Sequence, residues 1–171
     1  MNLLSRLLWL LTVGGGSILV DQLTKQVASQ TLSPLLSSLY LDGMLRLIYA
    51  ENTGIMQSVG SHLPQPVKDL LFTLLPALLF LTLLVYVLLS RQKSRLDLMA
   101  FSLLIGGGLS NVIDRLLHDG AVIDFIYVVL WGRMTGIFNL ADLAISAGCT
   151  ILILQALNRR GFKRSQEHGS R

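Results

Sequence analysis

The sequence predicts an all-α membrane protein with four transmembrane helices, and three observations lead to that prediction. Hydrophobic residues make up 52% of the 171 residues, and charged residues only 14%. The mean hydropathy is +0.61, which is typical of a membrane protein rather than of a soluble domain. The apolar residues fall into four runs, at about 3–23, 70–89, 98–117 and 138–157. At a rise of about 1.5 Å per residue, each run can cross a hydrocarbon core about 30 Å thick.

The first run has some features of a secretory signal peptide, because Arg6 precedes a leucine-rich stretch. No small-x-small cleavage pattern follows Val20, and three further apolar runs come after it, so we predict a retained helix. The second run contains Pro76, which a membrane helix tolerates as a kink when its neighbours satisfy the freed carbonyl. The single cysteine, Cys149, lies within the fourth run and gives no disulfide framework.

Basic and acidic residues separate to opposite sides of the predicted membrane. Nine of the 14 basic residues would lie on one side: Arg6, Arg91, Lys93, Arg95, Arg159, Arg160, Lys163, Arg164 and Arg171. Eight of the ten acids would lie on the other side: Asp21, Asp42, Glu51, Asp69, Asp114, Asp119, Asp124 and Asp142. The positive-inside rule therefore predicts that both termini are cytoplasmic. The net charge of +4 is an orientation signal, and no basic patch with interleaved aromatic residues favours a nucleic-acid partner.

The four runs leave two long extracytoplasmic connections, at 29–69 and 118–136, and a polar basic tail at 159–171. In the first connection, apolar residues lie on both sides of Asp42-Gly43, a dipeptide typical of a two-residue hairpin turn. We therefore expect a small β-hairpin or cradle on the membrane surface. The whole chain, 1–171, is predicted to form a single integral membrane domain.

The second connection contains a β-branched and aromatic run around Asp124. Its amphipathic character suits the membrane interface, where Tyr127 and Trp131 would lie at the level of the lipid headgroups. We expect an interfacial loop or helix in this segment.

Polar and ionisable residues gather at the outer ends of the predicted helices. Residues three or four apart lie on one helix face, so three sets are expected to be neighbours: Asp21 with Lys25, Asn111 with Asp114 and Arg115, and Asn139 with Asp142. Each set has a structural interpretation, as an interfacial ion pair, a polar clamp between helices, an N-cap or a partner of the helix dipole. Taken singly, none of them indicates a function.

The two cations, Lys25 and Arg115, can neutralise the acids of their own helices, which leaves Asp124 and Asp142 without obligate partners. Two such carboxylates at an apolar rim suggest a shared proton, because like charges a few ångströms apart cannot both ionise. This arrangement can activate a water molecule and protonate a leaving amine, as in an aspartic peptidase. Proton relay or ion binding remains an alternative use of the same acids.

Other catalytic signatures are missing from the sequence. It contains no H-E-x-x-H, no paired histidines and no G-x-S-x-G elbow. The triple glycines at 14–16 and 106–108 lie within predicted helices and fit close helix packing rather than phosphate binding. We therefore expect neither a metal nor a cofactor.

Five motifs, in order and at similar spacing, resemble those of the lipoprotein signal peptidases, also called signal peptidase II, of aspartic peptidase family A8. They are "DQLTK" (21–25), "AENTG" (50–54), "GGGLSNVIDR" (106–115), "VIDF" (122–125) and "FNLAD" (138–142). Each motif is weak alone, but the five in this order are specific. The resemblance spans about residues 17–145.

The resemblance implies an aspartic endopeptidase of the bacterial inner membrane that removes signal peptides from diacylglyceryl-modified prolipoproteins. It would cut just before the lipid-bearing cysteine, would act without a cofactor and as a monomer among membrane lipids, and would be inhibited by globomycin. Asp124 and Asp142 would be the catalytic dyad. The residues that would bind substrate or support the dyad are Asn52, Gly54, Asn111, Asp114, Arg115, Asn139, Asp21 and Lys25.

The sequence departs from the family pattern at two places. Ile55, Met56 and Gln57 in "NTGIMQS" replace the usual Ala-Ala-Phe, and Ser110 stands where a glycine is usual. Both changes suggest a narrower set of precursors. Alternatives from other classes are a small transporter or proton-relay subunit, a metal-dependent lipid headgroup transferase and a structural membrane adaptor.

Overall fold

The computed structural model describes residues 2–54, 59–90 and 94–159, together with the backbone of 160–169. Four long helices account for most of it: α1 (Leu3–Thr31), α2 (Gln65–Leu89), α3 (Arg95–Leu117) and α4 (Leu140–Gly169). Each has a stretch long and apolar enough to cross a membrane. The prediction of four transmembrane helices is confirmed.

The helices extend beyond the apolar runs, because local capping rather than hydropathy determines where a helix ends. α1 continues to Thr31 and stops where Leu32 turns extended, two residues before Pro34. α3 begins with a capping box in which Ser94 and Asp97 each accept the other's backbone N–H. α4 continues to Gly169, into the segment expected to be a polar tail. Within α1 and α2, wider π-type turns occupy Leu10–Gly15 and Asp69–Leu74.

A four-stranded antiparallel sheet lies outside the bundle, with strand order β1-β2-β3-β4. Its strands are β1 (Ser38–Tyr40), β2 (Leu45–Asn52), β3 (Val122–Leu130) and β4 (Arg133–Met134). The predicted hairpin is confirmed as β1 and β2, but its turn is displaced by one residue. Leu41 and Asp42 adopt positive φ angles of 50° and 54°, Gly43 N–H donates to Tyr40 O at 3.0 Å, and Gly43 follows as a third left-handed residue.

The second connection differs from the expected interfacial loop or helix, since residues 122–130 form β3 and pair with β2. The β-branched run pairs with a strand that lies 70 or more residues earlier in the chain, and nothing in the run itself identifies that partner. Tyr127 is buried and lies beside Arg46, whose guanidinium carbon is 5.9 Å from the ring centroid. Trp131 is 96% exposed at the β3–β4 turn and is still free to meet a membrane surface.

α3 lies at the centre of the bundle. In its most apolar window 61% of the residues are buried inside the protein, compared with 11% in each of the other three helices. Its triple glycine explains why: each glycine meets a different helix. A Cβ on Gly106 would overlap Gly14 of α1, a Cβ on Gly107 would lie 2.5 Å from Ala141 O of α4, and a Cβ on Gly108 would overlap the Phe80 ring of α2. The expected role in close packing is confirmed for these three glycines and for Gly14, which meets α3, but not for Gly15 and Gly16, where an added Cβ would meet nothing within 4 Å.

Candidate active site

The polar residues predicted from the sequence come together where the sheet meets α1, α3 and the start of α4. A cavity of about 470 Å³ opens there. It is lined by Asn52, Gly54, Asn111, Arg115, Val122, Asp124, Thr135, Gly136, Ile137, Phe138, Asp142, Ile145 and Ser146. Six predicted site residues are therefore at the cavity wall. The other four, Asp21, Lys25, Asp114 and Asn139, are buried and do not line it.

Asp124 lies on β3 opposite Ala50 of β2. Asn52 Nδ2 donates to its Oδ2 at 3.0 Å, and Asn139 Nδ2 donates to its Oδ1 at 2.7 Å. Burial raises the pKa of the Asp124 carboxyl to about 6, with a further increase from the charge of Asp142, against the opposing effect of the two amide hydrogen bonds. Asp124 can therefore hold a proton at a pH where an exposed aspartate cannot.

Asp142 lies in the first turn of α4. Asn139 Oδ1 accepts the Asp142 N–H at 3.0 Å, and the Asn139 N–H donates to Asp142 Oδ2 at 3.3 Å. This reciprocal pair has the form of a capping box, so the segment "NLAD" (139–142) contains the capping residues that begin α4. The other carboxylate oxygen, Asp142 Oδ1, accepts Asn111 Nδ2 from α3 at 3.0 Å. The expectation that Asn139 acts as an N-cap agrees with this geometry.

Three asparagines, Asn52, Asn111 and Asn139, direct their NH₂ groups at the two carboxylates for one shared reason. In each, Oδ1 is occupied by a group that only donates. These donors are Gly54 N–H at 3.1 Å, Lys25 Nζ at 2.9 Å and Asp142 N–H at 3.0 Å, respectively. Once the oxygen of an amide is held, its NH₂ group must face the opposite side. Both acids are thus oriented by neutral donors that bring no positive charge.

Lys25 holds a different pair of acids. Its Nζ lies 2.6 Å from Asp21 Oδ2 and 2.8 Å from Asp114 Oδ2, and both carboxylates are fully buried. The predicted pairing of Asp21 with Lys25 is confirmed.

The expected neutralisation of Asp114 by Arg115 is wrong. Adjacent residues on a helix point in different directions, so Asp114 faces α1 while Arg115 faces the cavity. Arg115 Nη2 instead donates to Gly54 O at 2.8 Å, and within residues 2–54, 59–90 and 94–159 it forms no ion pair. The Arg115 guanidinium therefore lies at the cavity wall and can donate further hydrogen bonds.

Six residues of this region were not singled out from the sequence: Gln22, Thr135, Gly136, Ile137, Ile145 and Ser146. Ile145 and Ser146 follow Asp142 by three and four positions, so helical spacing alone would have placed them on the same face. Thr135 lies in an irregular segment for which no such spacing rule exists. The divergent residues Ile55, Met56 and Gln57 lie outside the described residues, as do Arg91, Lys93 and the side chains from Arg160 onward.

Within the part of the chain that the structure describes, no three His, Cys, Asp or Glu side chains are grouped as ligands for a metal ion. The polar groups that line the cavity are carboxylates, amides, one guanidinium and the hydroxyls of Thr135 and Ser146. In the described part of the chain, neither Asp124 nor Asp142 forms an ion pair, and both adjoin one cavity of a membrane helix bundle. This arrangement is the one expected of a membrane-embedded aspartic peptidase.

Comparison with known proteins identifies the family within that class. The family model described as signal peptidase (SPase) II matches residues 15–158, and the chain belongs to this family. It is an aspartic peptidase that cleaves the signal peptides of lipoproteins. The alternatives of a transporter, a headgroup transferase and a structural adaptor find no support in these matches.

Two curated relatives and one solved structure illustrate the similarity. The chain is 38% identical over 146 residues to the lipoprotein signal peptidase of Chlorobium phaeobacteroides (strain BS1), covering 80% of this chain and 88% of the relative. It is 28% identical over 147 residues to that of Borrelia hermsii (strain HS1 / DAH), covering 82% and 84%. A bacterial membrane enzyme solved by the in meso method at 2.3 Å resolution superposes with a TM-score of 0.79 at 26% identity, covering 90% of each chain.

Proposed function

We propose that Asp124 and Asp142 are the catalytic dyad and that they hold one proton between them. The observation that supports this is the difference from Asp21 and Asp114, which bind Lys25. Asp124 and Asp142 adjoin the same cavity, and among the described residues both accept hydrogen bonds only from amide N–H groups. With the pKa of Asp124 raised to about 6, one member of the pair can remain protonated while the other is ionised.

The reaction follows from that protonation state. The ionised carboxylate removes a proton from a water molecule, and the resulting hydroxide attacks the carbonyl carbon of the scissile peptide bond. The protonated carboxyl donates to the carbonyl oxygen, and the proton taken from water is later delivered to the leaving amine nitrogen. As the C–N bond breaks, a hydroxyl proton of the tetrahedral intermediate returns to the carboxylate that had donated to the carbonyl oxygen, so the dyad again holds one proton.

The cavity wall suggests roles for the neighbouring side chains. Asn52, Asn111 and Asn139 orient the dyad, while Arg115 and Gly54 are available to bind the backbone of the substrate. These residues are supported by Lys25, Asp21 and Asp114, which are buried and do not line the cavity. Ile145 and Ser146 extend the cavity along α4, where a signal peptide could enter from the bilayer.

We propose as substrate a diacylglyceryl-modified prolipoprotein, cut just before its lipid-bearing cysteine. A peptide bond next to a lipid anchor lies at headgroup depth, and the dyad lies at the ends of the spanning helices rather than in the middle of a span. The charge distribution supports an inner-membrane location with both termini cytoplasmic. Because one chain supplies both dyad acids, a monomer would suffice, and globomycin is expected to inhibit by occupying this cavity.

The experiment that tests the dyad uses purified enzyme in lipid and a diacylated precursor. Asp124→Asn and Asp142→Asn should each lower the cleavage rate by about 10²–10⁴-fold, since each removes a proton-transfer group. Asp97→Asn is the matched control, because Asp97 is a buried aspartate at the opposite end of the bundle. Cleavage at the normal rate by either dyad variant, with folding intact, would sink the assignment.

A further inference from the structure

Each acid of the Lys25 pair also holds the backbone immediately before one acid of the dyad. Asp21 Oδ1 accepts the N–H of Ala141, the residue before Asp142, at 2.8 Å. Asp114 Oδ2 accepts the N–H of Ile123, the residue before Asp124, at 3.0 Å. The buried ion cluster is thereby attached to both segments that carry the dyad.

Two further side chains, Ser110 and Gln22, bind the same two acids. Ser110 Oγ donates to Asp21 Oδ2 at 2.8 Å. Gln22 Nε2 donates to Asp114 Oδ1 at 2.7 Å and to Ser110 Oγ at 3.0 Å. Ser110 is completely buried, and neither residue lines the cavity.

We propose that Ser110 and Gln22 are positioning residues for the dyad, an inference that rests on the proposed function of Asp124 and Asp142. The Lys25 ammonium is a compact charge that attracts Asp21 and Asp114 but does not determine the rotation of either carboxylate. The directional hydrogen bonds from Ser110 and Gln22 determine that rotation. They keep one oxygen of each carboxylate aimed at a backbone N–H.

This arrangement gives a reason for the serine at position 110, where the family pattern has a glycine. A glycine would remove the hydroxyl that donates to Asp21 and accepts from Gln22. In this chain the hydroxyl joins the Asp21 side of the cluster, which holds α4, to the Asp114 side, which holds β3.

Ser110 and Gln22 should each affect a different segment, so the two substitutions can be told apart. Ser110→Ala should loosen the start of α4, and Gln22→Met should loosen the start of β3. Hydrogen–deuterium exchange should therefore quicken at the Ala141 amide in the first variant and at the Ile123 amide in the second, with the rest of the bundle unchanged. Each variant should lower kcat by about 3- to 10-fold, the loss expected for one hydrogen bond, and leave KM unchanged.

Ser102→Ala is the control for both measurements. Ser102 lies on the same helix, is completely buried, and its hydroxyl has no hydrogen-bond partner among the described residues. Its removal should change neither kcat nor the exchange at Ala141 and Ile123. If Ser110→Ala fails to fold, Gln22→Met tests the inference through its own segment.

Faster exchange throughout the bundle, unchanged exchange at both amides, or a change in KM alone would overturn the inference. The dyad variants are measured in the same assay. If Asp124→Asn and Asp142→Asn abolish cleavage while exchange at the two amides is unaffected by Ser110→Ala and Gln22→Met, only the positioning inference fails. If the dyad variants cleave normally, the proposed function fails first.

Discussion

Two pairs of aspartates lie next to each other in this protein, and they differ in the charge of the groups that bind them. Asp21 and Asp114 share the Lys25 ammonium at 2.6 and 2.8 Å. Asp124 and Asp142 accept hydrogen bonds from asparagine amides and a backbone N–H, and neither forms an ion pair with any cation among the residues that the structure describes. All four acids lie at the same rim of the bundle, so depth in the membrane does not distinguish them.

Under the proposed function, one rim holds a structural pair, Asp21 and Asp114, and a chemical pair, Asp124 and Asp142. A buried carboxylate beside a cation keeps its negative charge, whereas a buried carboxylate among neutral donors can keep a proton. The asparagine amides fix the orientation of the Asp124 and Asp142 carboxylates without adding a positive charge. Under the proposed function, both acids can therefore still exchange protons.

Of the substitutions suggested by the comparison of the two aspartate pairs, removal of the Lys25 ammonium should have the largest effect on stability. Lys25→Met would leave the buried Asp21 and Asp114 carboxylates uncompensated, which should cost about 3–5 kcal/mol of the free energy of unfolding. Cleavage should also be lost, because both backbone anchors depend on those acids. Chemical unfolding in detergent micelles measures the first effect and a lipidated-precursor assay the second.

Arg159→Met is the control for that substitution, since it breaks the ion pair with Asp97 at 2.7 Å while the Arg159 side chain is 64% exposed. The Arg159 end of this pair is exposed and the Asp97 carboxylate keeps its hydrogen bond from the Ser94 N–H, so the loss should be only about 0–1 kcal/mol. A loss as small for Lys25→Met as for Arg159→Met would contradict the structural role given to the first pair of acids.

A smaller effect is expected from pushing α4 away from α3. In Gly107→Ala the new Cβ would lie 2.5 Å from Ala141 O, so the start of α4 must shift, at a cost of about 1–3 kcal/mol. Both Asp142 and the Asp21 anchor should be displaced, so kcat should fall together with stability. Gly16→Ala is the control, because its Cβ meets nothing within 4 Å. Equal losses from the two substitutions would show that the approach of α3 and α4 does not set the site geometry.

The smallest effect concerns the pH dependence of the second pair. Catalysis needs one protonated member, and the pKa of Asp124 is about 6, so kcat/KM should fall as pH rises through about 6. The Asn52 hydrogen bond lowers the pKa of Asp124. Asn52→Ala should therefore move this alkaline limb to higher pH, by less than about one unit. A limb that stays in place, or moves to lower pH, would contradict the neutral-donor interpretation of the dyad.

The sequence predicts the helices and most of the site residues because their signals are local. Hydropathy over about 20 residues marks a span, and spacing of three or four residues groups the acids on helix faces. The sheet was predicted only in part, because the β1–β2 hairpin has a local turn signal whereas β3 depends on distant β2. The pairing of Arg115 with Asp114 was wrongly expected for the same reason, since only the position of α1 shows that Lys25 reaches both acids.

The sequence by itself determined that this chain is a four-helix membrane protein, with acids and amides at one rim and the motifs of its family. Only the tertiary structure decided which acids receive a cation and which receive neutral amides. That division depends on the approach of α1 and α4 to the glycines of α3 and on the addition of β3 to the hairpin. Contacts between residues far apart in the chain create the difference between Asp114 and Asp124, because the partners of a buried side chain are its neighbours in space rather than in sequence.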